Sequence, residues 1–357
     1  MKALLILVCG LCTAKAFAQA DSTRSLTFSG YMEAYYTFDA GQPESHNRPP
    51  FVYAFNRHNE ININLGMVKA AYQGNKIRGN LALMAGTYAN ANLAAEAGVL
   101  KNIYEANVGI KISRKKEWWI DAGIFASHIG FESAIGRDCW NLTRSMLADN
   151  SPYYESGVKL SYTSSNGKWL AGALVLNGWQ RIQRMDGNNT PAFGHQLTYK
   201  PNDRITLNSS SFIGNDKPDS TRQMRYFHNL FGILQLTDRF SITAGFDIGA
   251  EQKAKGSSQY NSWYAPVLIA KFCPAKRHTI AMRAEYYNDT HGVIINTGTD
   301  NGFQTWGYSL NYDHLIHDNV MWRIEGRTFR SKDRIFLKND MPERNNLVLS
   351  TSLSLAF

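Results

Sequence analysis

Charged residues occur at alternate positions in several stretches of the chain, so their side chains would share one face of a β-strand. Arg283 is followed by Glu285, and Arg323 is followed by Glu325 and Arg327. Within each stretch, the charged residues fall on the same alternate positions as the polar residues. They would therefore lie on the strand face opposite the apolar residues. Opposite charges at this spacing can form ion pairs and set an electric field. The chemistry that they indicate is therefore electrostatic.

Other stretches carry charges with the same parity. The complete predicted set of inward-facing charges is Glu105, Lys111, Glu155, Lys159, Arg283, Glu285, Arg323, Glu325 and Arg327. If these strands cross a membrane, an Arg or Lys facing lipid near the midplane costs about 2 to 4 kcal/mol, so the side chains must face an interior. Mixed charges across a water-filled lumen would sort solutes by charge and size. The alternative is a lumen held together by ion pairs and filled by loops.

Motifs for catalysis or for cofactor binding are not found in the sequence. It contains no Gly-rich phosphate loop, no paired-cysteine metal site and no Gly-x-Ser-x-Gly sequence, and the nine histidines lack zinc-binding spacing. We therefore predict no catalytic residue, cofactor or metal. The formal net charge is +9, but the positive residues are spread along the chain. This distribution does not indicate nucleic-acid binding.

The elements that position these charges are alternating segments of about ten to fourteen residues, which is typical of membrane-crossing strands. In residues 24–39, Leu26, Phe28 and Met32 fall on one parity and polar residues on the other. Residues 57–72 predict a second strand with Ile61, Ile63 and Leu65 on its apolar face. The connections are alternately long and short. The pattern predicts about sixteen strands, within a range of fourteen to eighteen.

The last strand, residues 345–357, is apolar on one face, polar on the other, and ends at Phe357. An open sheet of such strands would leave unpaired backbone groups in lipid, each costing several kcal/mol. We therefore predict an all-β fold, a closed antiparallel transmembrane β-barrel in which the first strand pairs with the last. Short turns would face the periplasm and long loops the outside.

The N-terminus has the features of an export signal. Lys2 precedes an apolar run over residues 3–12, and Ala16, Phe17 and Ala18 form a cleavage site of the small-x-small type. We predict a cleaved signal peptide over residues 1–18. Residues 19–357 would then form a single barrel domain in the outer membrane, in contact with its lipid.

Several stretches of the chain resemble the OmpL-like β-barrel porins of Gram-negative bacteria. They are residues 30–36, 59–72, 128–132 and 152–158, together with the terminal Phe357. The resemblance implies an outer-membrane porin, a passive diffusion channel for small hydrophilic solutes. The alternatives are a non-conducting barrel for adhesion or partner binding and, less favoured, a barrel enzyme.

The same resemblance gives a role to the third long loop, residues 127–152. In sixteen-stranded porins this loop folds into the barrel and narrows it. Alternating apolar and charged residues would let the loop pack on the wall and present charge to the channel, so the predicted constriction residues are Glu132, Arg137, Asp138 and Arg144. For each of them, a position on an ordinary surface loop is the alternative.

Two further expectations come from related barrels. The resemblance implies that Phe357 is an assembly signal read by the barrel-assembly machinery. By analogy, since trimers are common among porins, a homotrimer is an expected assembly.

Overall fold

A computed structural model describes residues 25–339 and 341–357, and the predicted signal peptide lies outside these residues. Sixteen antiparallel strands close into one barrel, in which each strand pairs with its neighbours in sequence and the last pairs with the first. This confirms the predicted fold and strand number.

The barrel strands are β1 (Ser25–Asp39), β2 (Ile61–Gln73), β3 (Ile77–Ala85), β4 (Ile103–Lys111), β5 (Glu117–Ala126), β6 (Tyr154–Thr163), β7 (Trp169–Leu176), β8 (Ala192–Asn202), β9 (Ile205–Gly214), β10 (Arg225–Gln235), β11 (Phe240–Gln252), β12 (Tyr260–Ala275), β13 (His278–Asp289), β14 (Phe303–His317), β15 (Val320–Ser331) and β18 (Asn345–Ala356). A separate hairpin consists of β16 (Phe336–Lys338) and β17 (Met341–Glu343).

The connections differ in length at the two ends of the barrel. We number the long ones in chain order and refer to loop 1 (residues 40–60), loop 2 (86–102), loop 3 (127–153), loop 4 (177–191) and loop 8 (332–344). Two short helices occur in them, α1 (Thr87–Asn92) and α2 (Met146–Asp149). Among the described residues, no helix is both long enough and apolar enough to span a membrane.

Closure depends on the pairing of β1 with β18. Their register runs from Tyr31 opposite Ala356 to Asp39 opposite Val348. Inside the barrel, the hydroxyls of Thr37 and Ser350 lie 2.9 Å apart across this pair. Every backbone group in such a ladder has a partner, which lipid could not supply.

The two faces of the wall follow the predicted alternation of apolar and polar residues. On β1, the outward-facing Phe28 is 76% exposed, whereas the inward-facing Glu33 is buried. One residue departs from the prediction: a register shift between Glu33 and Ala34 in the pairing with β2 turns Leu65 inward, where it is fully buried. A β-bulge adds one residue to a strand and thereby exchanges its two faces beyond that point.

The interior of the barrel contains two apolar clusters built from wall residues and loops. One includes Phe51 of loop 1 and Met146 of α2, packed with Trp263 and Phe303 of the wall. The other places Phe55 of loop 1 among residues of β1 to β6 and loop 2. The upper part of the lumen, near the long loops, is therefore packed rather than open.

Phe357 provides the last backbone contacts of the closing pair. The amide of Gly30 donates to the carbonyl of Phe357 (2.7 Å), and the amide of Phe357 donates to the carbonyl of Gly30 (3.0 Å). We predict that deleting Phe357 lowers the folded fraction after assembly, because both bonds and the terminal ring are lost. Heat-modifiable migration in gel electrophoresis measures that fraction. Phe357→Leu, which keeps the backbone, is the control, and full assembly of the truncated chain would contradict the prediction.

Candidate functional site

Loop 3 lies inside the barrel. At its beginning, the His128 ring bonds the Glu155 carboxylate through Nδ1 (2.9 Å) and the Ser211 carbonyl through Nε2 (2.8 Å). Two residues later, the amide of Gly130 donates to Asn229 Oδ1 (3.2 Å). These bonds direct the loop across the inner face of β9 and β10.

The tip of loop 3 reaches the end of the barrel that carries the short turns. Arg323 of β15 donates to the carbonyl of Gly136 (2.6 Å), and the amide of Arg137 donates to the Tyr31 hydroxyl (3.2 Å). The Arg137 guanidinium donates to the carbonyl of Asp318, which lies in the turn between β14 and β15. Loop 3 thus extends through most of the height of the lumen.

The returning half of loop 3 is bound to charged residues of β13 and β15. Thr143 donates its amide to Glu325 (2.5 Å), and its carbonyl accepts from Arg283 (2.7 Å). The amide of Met146 donates to Glu285 (2.6 Å). Three predicted inward charges therefore bind the backbone of the loop.

These wall charges also pair with one another. Arg283 lies 3.0 Å from Glu325 and 3.2 Å from Glu285, and Arg327 lies 2.6 Å from Glu285. Arg323 lies 2.7 Å from Asp313. We call the six residues the ion network: Arg283, Glu285, Asp313, Arg323, Glu325 and Arg327. Because their side chains are almost completely buried, the network holds loop 3 and does not face an open passage.

The four predicted constriction residues occupy two different environments. The Arg144 guanidinium is fully buried and donates to the carbonyls of Ser133, Leu142 and Ala134, at 2.6, 2.8 and 3.1 Å. Glu132 accepts from the amide of Ser145 (3.0 Å). Both residues therefore stabilise the loop from within.

Arg137 and Asp138, in contrast, lie at the tip of loop 3. Asp138 is exposed there, and Arg137 is partly exposed. Of the four residues, these two face accessible space in the lower lumen.

The inner wall opposite the ion network remains polar and partly accessible toward the short turns. Lys69 lies 2.5 Å from Glu105, and Arg78 donates to Asp121 at 2.7 Å. Two further cations lie nearby: Lys111 pairs with Glu117, and the Lys159 ammonium lies 4.6 Å from the centre of the Phe125 ring. We call the following residues the polar strip: Lys69, Arg78, Glu105, Lys111, Asp121 and Lys159.

Lys69, Arg78 and Asp121 were not among the predicted inward charges. Arg78 and Asp121 have the inward parity of their strands, so the alternation alone could have identified them. Lys69 has the parity of Ile61 and Ile63 and faces inward only because the bulge in β2 exchanges the two faces of the strand. His128 was not predicted as a site residue, because its pairing with Glu155 depends on the path of loop 3. No cluster of three or more His, Cys, Asp or Glu that could hold a metal ion occurs in residues 25–339 and 341–357.

The outer mouth is covered by loops. On one side, the Phe51 ring of loop 1 packs at 4.7 Å from Phe303, and the carbonyl of Phe51 accepts from Asn150 of loop 3 (3.1 Å). On the other side, the Glu96 carboxylate of loop 2 accepts from the amides of Ile182 (2.8 Å) and Gln183 (3.2 Å) in loop 4. Loops 2 and 4 are thereby fastened together.

Asp149, at the end of α2, is buried beneath the outer loops. Burial raises the pKa of its carboxyl group to about 7, although the positive charges of Arg327 and Arg144 act in the opposite direction. Its Oδ1 atom has no hydrogen-bond partner within the described part of the chain. Burial therefore stabilises the protonated form of Asp149 where loop 3 is docked.

Comparison with known proteins identifies related sequences and folds. A family model described as "Putative beta-barrel porin-2, OmpL-like" matches residues 25–357. No curated protein matches the chain.

Similar solved structures include an anion-selective porin from Comamonas acidovorans, with a TM-score of 0.61 and 8% identity over 94% of this chain and 100% of that one. The trimer form of OmpT from Vibrio cholerae has a TM-score of 0.60 and 8% identity over 94% and 100% of the two chains. The channel DcaP of Acinetobacter baumannii has a TM-score of 0.58 and 10% identity over 95% and 99%. At these identities, the similarity is one of fold.

The pKa of Asp149 leads to a prediction about stability. An unfolded aspartate releases its proton near pH 3.8, whereas the docked one retains it until about pH 7. Between pH 3.8 and about pH 7, the folded state therefore binds more protons than the unfolded state. The contribution of Asp149 to the free energy of unfolding is lost as the pH rises through this range. We predict that the melting temperature of the wild type, relative to that of Asp149→Asn, falls from about pH 4 to about pH 7 and is constant above. Circular dichroism in detergent measures this difference, and a difference independent of pH would contradict the assignment.

Proposed function

Because the chain belongs to the OmpL-like β-barrel porin family, we propose that this outer-membrane barrel is a passive diffusion channel for small hydrophilic solutes. Solutes would pass between loop 3 and the wall formed by β2 to β8. The polar strip lines that route. Its alternating cations and anions would replace part of the water around a solute and select by charge.

The observation that carries the proposal is the uneven exposure of the inward charges. In the polar strip, the side chains of Lys69 and Arg78 are 28% and 30% exposed. In the ion network, Arg283 and Arg323 are 0% exposed. The charged residues of β13 and β15 are therefore covered by loop 3, whereas charged side chains on β2 and β3 remain accessible.

The proposed constriction consists of Arg137 and Asp138 on the tip of loop 3, together with the polar strip. Glu132 and Arg144 are assigned instead to the fold of the loop, because their charged groups are bonded inside it. Charge at the tip and at the wall would act across a narrow space, where the field on a passing ion is strongest.

A second candidate function is a non-conducting barrel that presents its outer loops for adhesion or partner binding. The covered outer mouth favours it, since Glu96 joins loop 2 to loop 4 through bonds to Ile182 and Gln183. If the barrel is a channel, the contacts between loops 2 and 4 would have to open, or solutes would have to pass beside these loops.

The two ends of the chain are assigned to export and to assembly. Residues 1–18 would direct export and be removed, and Phe357 would be read by the barrel-assembly machinery. A homotrimer is the proposed assembly, supported by the trimer form of Vibrio cholerae OmpT, which has a similar fold. The barrel would act on solutes without catalysis.

Conductance of the purified barrel in planar lipid bilayers separates the two candidates. We expect discrete conductance steps when the folded protein inserts, because a lined aqueous route carries ions. Heat-denatured protein from the same preparation is the control. Absence of steps from protein shown to be folded by its gel migration would favour the non-conducting barrel.

Charge reversal tests the proposed route itself. Lys69→Glu combined with Lys159→Glu should shift the anion-to-cation permeability ratio toward cations by roughly two- to fivefold, as expected for a unit charge close to an ion in a hydrated passage. Lys253→Glu, on the exposed connection between β11 and β12, is the matched control and should leave the ratio unchanged. Reversal potentials in a salt gradient give the ratio, and an unaltered ratio in the double variant would place the route elsewhere.

A further inference from the structure

The lipid-facing wall formed by β12 to β15 and β18 contains an apolar groove of about 540 Å³. Its floor includes Gly326, where an added Cβ would meet no atom within 4 Å. Leu310 lies beside Gly326 in the strand pairing, and Tyr308 and Leu347 lie on either side of Thr328. Small residues along β15 thus form a depression between the larger side chains of β14 and β18.

The groove continues into a polar pocket at its outer end. The pocket has a volume of about 360 Å³ and shares Thr328 and Leu347 with the groove. Lys338, Glu343 and Asn345 are among the residues that line it. An ammonium group binds phosphate, whereas a carboxylate and an amide accept hydrogen bonds from hydroxyl groups. The pocket therefore offers partners for a headgroup that carries a phosphate and hydroxyl groups.

A cation lies beside the pocket, across the strand pairing from Asn345 of its lining. Arg330 is exposed on the outward face of β15 and pairs across the strands with Trp306 and with Asn345. Its guanidinium has no ion-pair or hydrogen-bond partner among the described residues. The Trp306 ring lies 4.7 Å from that of Tyr286 and 6.2 Å from that of Tyr308. Clustered aromatic rings of this kind mark the membrane interface, so Arg330 lies at headgroup depth.

We propose that the groove and pocket bind a phosphorylated glycolipid of the outer leaflet. One acyl chain occupies the groove over Gly326, and the headgroup enters the pocket. Arg330 and Lys338 bind its phosphate, and Glu343 and Asn345 bind its sugar hydroxyls. The lipid belongs to the outer leaflet because the pocket lies at the end of the wall where the long loops emerge.

The charges favour a lipid over a two-fold contact with a second copy of this chain. In a two-fold dimer through this face, the same patch would meet itself. Arg330 and Lys338 of one chain would then be brought toward those of the other. A phosphate neutralises these cations, while the acyl chain covers the apolar floor. The site is separate from the solute route, since it lies on the other face of the wall.

Native mass spectrometry of the folded barrel titrated with diphosphoryl lipid A tests the site. Gly326→Leu fills the floor of the groove, and Arg330→Gln combined with Lys338→Gln removes the cations but keeps the groove. We expect each change to weaken lipid A binding about tenfold, because the double variant loses the attraction of two cations for an anionic headgroup and the leucine excludes the acyl chain from the groove. Ala122→Leu, on the outward face of β5, and Lys253→Gln are the matched controls and should bind like the wild type.

Parallel titrations with phosphatidylglycerol and phosphatidylcholine identify the headgroup chemistry. Tight binding of lipid A alone supports the proposal, whereas equal binding of phosphatidylglycerol would overturn its sugar-binding part. Equal binding of all three lipids by every variant would overturn the site. A dimer mass that Gly326→Leu abolishes would assign the groove to a second chain instead. A barrel that conducts but does not bind lipid A would refute only the lipid site.

Discussion

The pairing of β1 with β18 is the constraint on which the rest of the structure depends. A sheet in lipid has no source of hydrogen bonds other than its own strands, so both of its edges must be removed together. The register from Tyr31 and Ala356 to Asp39 and Val348 achieves this. Once the sheet is closed, every residue faces either lipid or an interior, and the side on which a charge lies follows from its parity and from any bulge in its strand.

Closure alone does not determine how the interior is filled. Loop 3 is held by carboxylates and guanidinium groups that bond its backbone, as Glu325 and Arg283 do at Thr143. Buried charges are tolerated when they are paired and hydrogen-bonded, and the ion network meets both conditions. Removing one member would leave its partner buried without compensation. The network thus keeps loop 3 on one side of the barrel.

Much of the fold could be predicted from the sequence because the alternation of apolar and polar residues along a strand is visible in neighbouring residues alone. The alternation of Leu26, Phe28 and Met32 with polar residues identifies a strand without reference to any other element. Leu65 was assigned to the wrong face because a bulge is a feature of strand pairing and leaves the local pattern almost unchanged.

The partners of the charged residues could not be predicted in this way. Glu105 and Lys111 lie on one strand and were both predicted to face inward, but the partner of Glu105 is Lys69, on a strand that is not adjacent to β4. Similarly, nothing near Arg144 in sequence indicates that its guanidinium bonds carbonyls inside loop 3. These contacts depend on the curvature of the wall and on the path of a loop, both of which are set only when the whole barrel is assembled.

The anchoring of loop 3 also has a consequence for the order of folding. Its partners are distant in sequence: 139 residues separate Met146 from Glu285, 182 separate Thr143 from Glu325, and 187 separate Gly136 from Arg323. Contacts between distant residues form late, because the intervening chain must first be ordered. Loop 3 can therefore reach its final position only after β13 and β15 are in place, so the part of the chain that fills the lumen is ordered later than the strands that precede it.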